Sequence, residues 1–122
     1  MAKPGSKYTP KPLTARYALL QDYNEACSML KALEKAGSTT AAECQFIRMR
    51  ISEMEMQLKE SEKDTRIILE RFRDNNRVYV FAMLRFFVGY KMGDIGKMFN
   101  ISDDVVRCTL ERAFRKIFSA EE

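Results

Sequence analysis

Apolar residues recur along most of this chain at intervals of three and four, the period of a helix with one buried face. One such series runs from Leu20 to Leu30, and a second runs from Cys44 to Leu58. Both have the spacing of heptad seams, in which two helices pack against each other. No segment shows a convincing strand pattern, in which apolar and polar residues would alternate. The pattern predicts an all-α protein.

The first seam belongs to a helix predicted from Thr14 to about Lys35, with Gly37 as its C-cap. Residues 1–13 precede it and are rich in proline and lysine, with no acidic residue, so we expect a disordered basic arm. This arm has two interpretations. It could follow DNA phosphates or enter a minor groove, or it could be a solubilising tail.

The second seam belongs to a longer helix, predicted to run to about Arg73. Thr40 and Glu43 have the spacing of a capping box, in which each side chain satisfies a free amide at the helix start. Because the loop after Gly37 is short, the two helices are expected to form a long antiparallel hairpin, coiled-coil-like, over residues 14–73.

A helix dense in apolar residues is predicted from Arg77 to Val88, with Asp74 or Asn75 as its cap and Gly89 at its end. Its apolar side chains cover most of its circumference, so we expect it to be buried on several sides. They are Val80, Phe81, Leu84, Phe87 and Val88.

Two shorter helices, predicted over residues 92–99 and 103–118, meet at a tight corner. Asn100 can adopt the left-handed conformation that ends the first helix. Ile101 fills the corner, and Ser102 can cap the second helix. Helices joined in this way leave the outer face of the second one free, which is the geometry that places a helix in the DNA major groove.

The segment from Phe86 to Ile117 resembles the helix-turn-helix of bacterial sigma factor region four. The resemblance rests on these residues, which follow the family's spacing without a gap: Gly89, Ile95, Ile101, Ser102, Val106, Leu110, Ala113, Arg115 and Lys116. Preceded by a helical hairpin, this domain (residues 74–122) resembles the small phage late-transcription regulators of the ArpU and RinA kind. The resemblance implies sequence-specific binding to double-stranded DNA and a phage or mobile-element origin.

The composition restricts the size of the fold and the classes of function that we expect. With 122 residues, the chain has room for one small domain and an extension. It contains no histidine, no phosphate-binding Gly-Lys-Ser/Thr loop and no nucleophile beside a base, so we expect neither an enzyme nor a metal or other cofactor.

Three widely spaced cysteines indicate reduced thiols, two of them buried. No apolar run could span a bilayer and no signal sequence is apparent, so we expect a cytoplasmic protein. The net charge of +4 permits DNA binding without demonstrating it.

The predicted DNA contacts lie mainly on the helix 103–118, whose inward face carries Val106, Leu110, Ala113 and Ile117. Arg107 is the best candidate for a base, because a guanidinium can bind guanine O6 and N7 together. The basic side chains around it suit phosphates. The predicted DNA-binding residues are Lys91, Ser102, Asp103, Asp104, Arg107, Cys108, Glu111, Arg112, Arg115 and Lys116.

Asp103 and Asp104 have two interpretations. Carboxylates in a first helical turn stabilise the helix by about 0.3 to 1 kcal/mol each through its dipole. One of them could instead accept a hydrogen bond from a cytosine amino group, although both would repel phosphates.

Three partners are expected. A single small helix-turn-helix reads few base pairs, so beside double-stranded DNA we expect a homodimer that pairs through the helical hairpin. RNA polymerase is a further candidate. The alternative function is a helix-turn-helix scaffold that serves as a protein-interaction module and does not bind DNA.

Overall fold

The computed structural model describes residues 8–37 and 41–118, which form five α-helices and one π-helical turn and contain no strand. The all-α prediction is confirmed. Within these residues, no helix is both long enough and apolar enough to cross a membrane. The α-helices are α1 (Lys11–Ala36), α2 (Ala41–Glu70), α3 (Asn76–Met83), α4 (Met92–Phe99) and α5 (Asp103–Phe118).

Helices α1 and α2 pack side by side and run in opposite directions. Near the loop, Arg48 of α2 pairs with Glu34 of α1. Further from the loop, the Tyr23 hydroxyl donates a hydrogen bond to Glu55 Oε2 at 2.9 Å. Residue numbers therefore fall along α1 as they rise along α2. The predicted seams lie between the two helices and contribute Leu20, Cys44 and Met54 to the core, together with half-buried neighbours.

Helix α1 begins at Lys11, three residues before the predicted start at Thr14. Proline is accommodated in a first helical turn because no amide is needed there, and Pro12 occupies that turn. Leu13, placed by the sequence in the arm, is fully buried. The C-cap at Gly37 is confirmed, with φ 66° and an N–H that donates to the Leu33 carbonyl oxygen. Residues 1–7 of the predicted arm lie outside the described residues.

Helix α2 ends at Glu70, three residues before the predicted end at Arg73. The amides of residues 71–73 donate to carbonyls three residues earlier, which tightens the backbone into a turn. Asn75 then caps α3, because its side-chain oxygen accepts a hydrogen bond from the Val78 amide at 3.3 Å. The capping box predicted at Thr40 lies outside the described residues.

The helix predicted over residues 77–88 is divided in two. Helix α3 ends at Met83, and residues 84–88 form the π-helical turn, closed by Gly89 with φ 93°. The Gly89 amide donates to the Leu84 carbonyl five residues earlier, at 3.0 Å. The prediction of burial on several sides was wrong for Val80 and Val88, which are exposed, whereas Phe81 is buried.

One hydrophobic core joins the base of the hairpin to the C-terminal helices. Phe72, at the end of the hairpin, contacts Phe114 of α5 edge-on, with ring centroids 5.2 Å apart. The buried members of this core are Leu13, Leu69, Phe72, Val78, Phe81, Ala82, Phe86, Ile95, Val106, Leu110 and Phe114. The inner face of α5 therefore packs on a core to which α1, α2 and α3 all contribute side chains.

The three cysteines are free thiols. Only Cys44 is buried, whereas Cys27 is half-buried and Cys108 is exposed, so the expectation of two buried thiols was wrong.

Candidate nucleic-acid interface

The turn between α4 and α5 is closed by its own backbone and by one side chain. Asn100 has φ 62° and ψ 40°, the left-handed conformation expected from the sequence. The Ile101 amide donates to the Gly96 carbonyl oxygen at 2.8 Å. This bond closes a loop of six residues around the end of α4, as in a Schellman motif. Ser102 Oγ accepts a hydrogen bond from the Val105 amide at 3.2 Å, which caps α5.

Gly96 allows this turn to fold back closely on α4. A Cβ atom at this position would lie 2.5 Å from the Ile101 carbonyl oxygen, closer than atoms can approach. Ile101 itself is half-buried and packs on the core. The angle between α4 and α5 therefore depends on a residue without a side chain at the crossing.

The inner face of α5 is buried at three successive turns. Val106, Leu110 and Phe114 are at most 2% exposed and repeat every four residues. Ala113 and Ile117, predicted to point inward, are half-buried and pack against the same core. Phe114 was not among the predicted core residues, although its spacing from Leu110 indicates the same face.

The outer face of α5 is left open to solvent by the described part of the chain. Seven of the predicted binding residues within α5 are exposed, whereas Glu111 is half-buried. The exposed side chains are Asp103, Asp104, Arg107, Cys108, Arg112, Arg115 and Lys116. Lys91 is also exposed but precedes α4, and the Ser102 hydroxyl is engaged in capping.

Arg107 and Asp104 form an ion pair on this face. Arg107 Nη2 lies 2.6 Å from Asp104 Oδ1, and the side chains are 45% and 71% exposed. A guanidinium has five N–H donors in a planar fork, so one acceptor occupies only part of it. The carboxylate thus holds Arg107 near the start of α5 and leaves further donors directed to solvent.

Charge changes sign along α5. Asp103 and Asp104 lie in the first turn, and Arg115 and Lys116 lie in the last. Both placements stabilise the helix dipole. The acid pair is therefore placed where it can stabilise the start of α5, and Asp104 also forms an ion pair with Arg107.

Val105 is a surface residue that the sequence analysis did not select. It is 41% exposed in the first turn of α5, beside Asp104. An exposed methyl-bearing side chain at such a place can contact the methyl group of thymine. Its position on the helical wheel, between the exposed Arg112 and Lys116, is the signal that could have identified it.

No protein-family model matches this chain, and no curated protein or solved structure shows significant similarity to it. In residues 8–37 and 41–118, no cluster of three or more cysteine or acidic side chains is arranged to hold a metal ion.

Proposed function

We propose that this chain is a sequence-specific DNA-binding transcription regulator of phage or mobile-element origin. In this proposal α4 and α5 form a helix-turn-helix, and α5 enters the major groove. The observation that supports it is the outer face of α5, which is exposed except at the half-buried Glu111, while the opposite face is at most 2% exposed at three successive turns. A helix held this way can meet a groove without rearranging the fold.

The exposed side chains divide into two roles. Arg107, oriented by Asp104, contacts a guanine base, and Val105, on the other flank of the exposed face, adds a separate apolar contact. Lys91, Arg112 and the basic end of α5 neutralise phosphates and fix the register of the helix on the duplex. The protein is proposed to act in the cytoplasm, as a binding protein rather than an enzyme.

The experiment that tests this function is a salt titration of binding to a random-sequence duplex. Four phosphate contacts, from Lys91, Arg112, Arg115 and Lys116, predict that log K falls with log salt concentration with a slope of about −3.6. Arg112→Ala should reduce the slope by about 1. Lys31→Ala, on the exposed side of α1, is the matched control and should leave the slope unchanged. Binding that is absent or insensitive to salt would refute the proposal.

A second candidate function is a protein-interaction module, with RNA polymerase as one partner. It is favoured by exposed apolar side chains beside the turn, since Met98 is 55% exposed and Phe99 is 45% exposed. The exposed Asp103 would meet a basic surface of the partner. This function predicts no salt-dependent binding to the duplex, so the same titration separates the two.

A further inference from the structure

Helix α2 carries apolar side chains on two opposite faces. The inner seam packs on α1 and includes Cys44 and Met54, which are buried. On the other side, four large apolar side chains are between 58% and 67% exposed. These are Phe46, Met49, Met56 and Ile67. Nothing among the described residues covers them.

These four residues belong to one continuous stripe. Together with three exposed charged residues they recur at alternating intervals of three and four, the spacing of a coiled-coil seam. We call this set the outer stripe: Phe46, Met49, Glu53, Met56, Glu60, Lys63 and Ile67. Its length and period suit packing against another long helix. The charges of that helix must complement those of the stripe.

We propose that the outer stripe binds the same stripe of a second copy of this chain, with the two α2 helices antiparallel. In the register proposed, Met49 lies opposite Ile67 of the second copy, and Glu53 lies opposite Lys63 of the second copy. Met56 packs on the methylene groups of Glu60. The two-fold axis passes beside residue 58, so each contact occurs twice.

The flanking charges select this register over its neighbours. In this register Arg50 faces Asp64 of the second copy, and the symmetry produces this favourable contact twice. The one unfavourable contact is between the two Lys59 side chains, which meet at the axis. A shift of one heptad in one direction opposes Arg50 to Arg71 and Lys59 to Arg66 instead. A shift in the other direction places Lys63 against Phe46 and Arg50 against Gln57, so that neither cation keeps an acidic partner. A second copy thus supplies, in one arrangement, a partner for every charge of the stripe except Glu60.

The register has a consequence that rests on the proposed DNA-binding function. Glu70 ends α2, where the chain enters the C-terminal helices, and it lies twelve residues from the axis. At 1.5 Å per residue, the two Glu70 positions are about 36 Å apart along the pair. The pair thus holds its two C-terminal regions apart on the scale of half-sites one DNA turn apart, whose recognition helices are separated by about 34 to 36 Å.

Disulfide cross-linking tests the register in the full chain without DNA. In a Cys108→Ser background, which removes the exposed native thiol, Met49→Cys protein is mixed with Ile67→Cys protein. We expect a disulfide dimer that contains one chain of each kind. Either protein alone should not cross-link, because identical positions lie about 27 Å apart at 1.5 Å per residue. Self-linking of Met49→Cys alone would show parallel pairing and overturn the proposal, and so would a failure of the mixture to link.

Charge exchange tests the same contact by a second route. Lys63→Glu should weaken the dimer at least tenfold, measured as mass by sedimentation equilibrium, and adding Glu53→Lys should restore it. Lys31→Glu, an exposed lysine on α1, is the control and should leave the dimer intact. A monomer mass for the unmodified chain would overturn the inference. A dimer that fails to bind DNA would refute the proposed function alone.

Discussion

Arg16 of α1 donates a hydrogen bond from Nε to the backbone carbonyl oxygen of Phe86, 2.6 Å away and 70 residues later in the chain. Its Nη1 donates to the Leu58 carbonyl oxygen at 2.7 Å and to Ser61 Oγ at 2.5 Å. The guanidinium also lies 4.7 Å from the centroid of the Phe87 ring. One buried side chain thus joins α1, α2 and the π-helical turn, and it sets how the hairpin meets the C-terminal helices.

Replacing Arg16 should therefore destabilise the whole protein. Burial lowers the pKa of the Arg16 guanidinium, but an arginine remains charged at neutral pH. Arg16→Ala leaves the Phe86 and Leu58 carbonyls without this donor, and we expect the free energy of unfolding to fall by about 3 kcal/mol in urea denaturation.

Arg48→Ala is the matched control, because Arg48 also bonds across the hairpin, to Glu34, but does so at the surface. Exposed ion pairs contribute about 0 to 1 kcal/mol, so the free energy of unfolding of this variant should be close to that of the parent protein. Equal losses in the two variants would contradict the role assigned to Arg16.

Alanine substitutions at the two glycines of α4 are expected to change the stability of the protein in opposite directions. Gly96→Ala would place a methyl group 2.5 Å from the Ile101 carbonyl oxygen, so the turn must shift, at a cost of about 1 to 3 kcal/mol. Gly93→Ala meets no atom within 4 Å and should stabilise the helix by about 1 kcal/mol. Thermal unfolding measures both. A decrease in Tm for both variants, or for neither, would contradict this account of the turn.

The turn between α4 and α5 shows how much of the candidate site could be predicted from the sequence. The ends of α4 and α5 were predicted correctly, because Asn100 and Ser102 act on backbone groups within a few residues of themselves. The close contact at Gly96 also lies within this short turn. Local turn chemistry was therefore sufficient for this part of the candidate site.

The remainder depends on contacts between distant segments. The seam residues predicted the packing of α1 on α2, but nothing in the sequence marked Arg16 as a buried arginine. The π-helical turn at residues 84–88 likewise departs from a pattern that is compatible with one continuous helix. The position of the hairpin determines which face of α3 is exposed. The exposure of Val80 was therefore not predicted.

Leu110 tests the assignment of the inner face of α5. Its side chain is 1% exposed, so Leu110→Ala should lower the free energy of unfolding by about 2 to 5 kcal/mol. Cys108→Ala, on the opposite face of the same helix, should change it by less than about 0.5 kcal/mol. Similar values for the two variants would show that α5 is rotated relative to this description.

Tyr23 predicts a dependence of stability on alkaline pH. The hydrogen bond to Glu55 is the main cause that raises the pKa of the Tyr23 hydroxyl to about 12, and burial adds to it. The unfolded value is about 10. Since the folded pKa is the higher one, this contribution is complete below about pH 10 and is lost as the pH rises towards 12.

Absorbance at the tyrosinate band measures this titration. The difference between the parent protein and Tyr23→Phe should show one tyrosine with a midpoint near pH 12. Glu55→Gln should lower that midpoint, because a neutral amide no longer penalises the phenolate. A Tyr23 midpoint near 10 in the parent protein would contradict the hydrogen bond.

Arg107 distinguishes base contact from phosphate contact within the proposed function. A base-reading arginine should lose about 1 to 3 kcal/mol of affinity for the selected site when replaced by alanine, with binding to random duplex unchanged. Arg112→Ala is the control on the same helix and should weaken both substrates and reduce the salt dependence. Fluorescence anisotropy with a site obtained by selection from a random pool provides both affinities.

Asp104→Asn adds a prediction that depends on the ion pair. The substitution removes a negative charge from the outer face and releases the Arg107 Nη2 that Asp104 now binds. Affinity for random duplex should therefore rise, because repulsion from phosphates is reduced, while discrimination for the selected site should fall as Arg107 loses its fixed orientation. If Arg107→Ala weakened both substrates equally and Asp104→Asn left discrimination intact, Arg107 would belong with the phosphate contacts, and the base-reading role would pass to another side chain of α5.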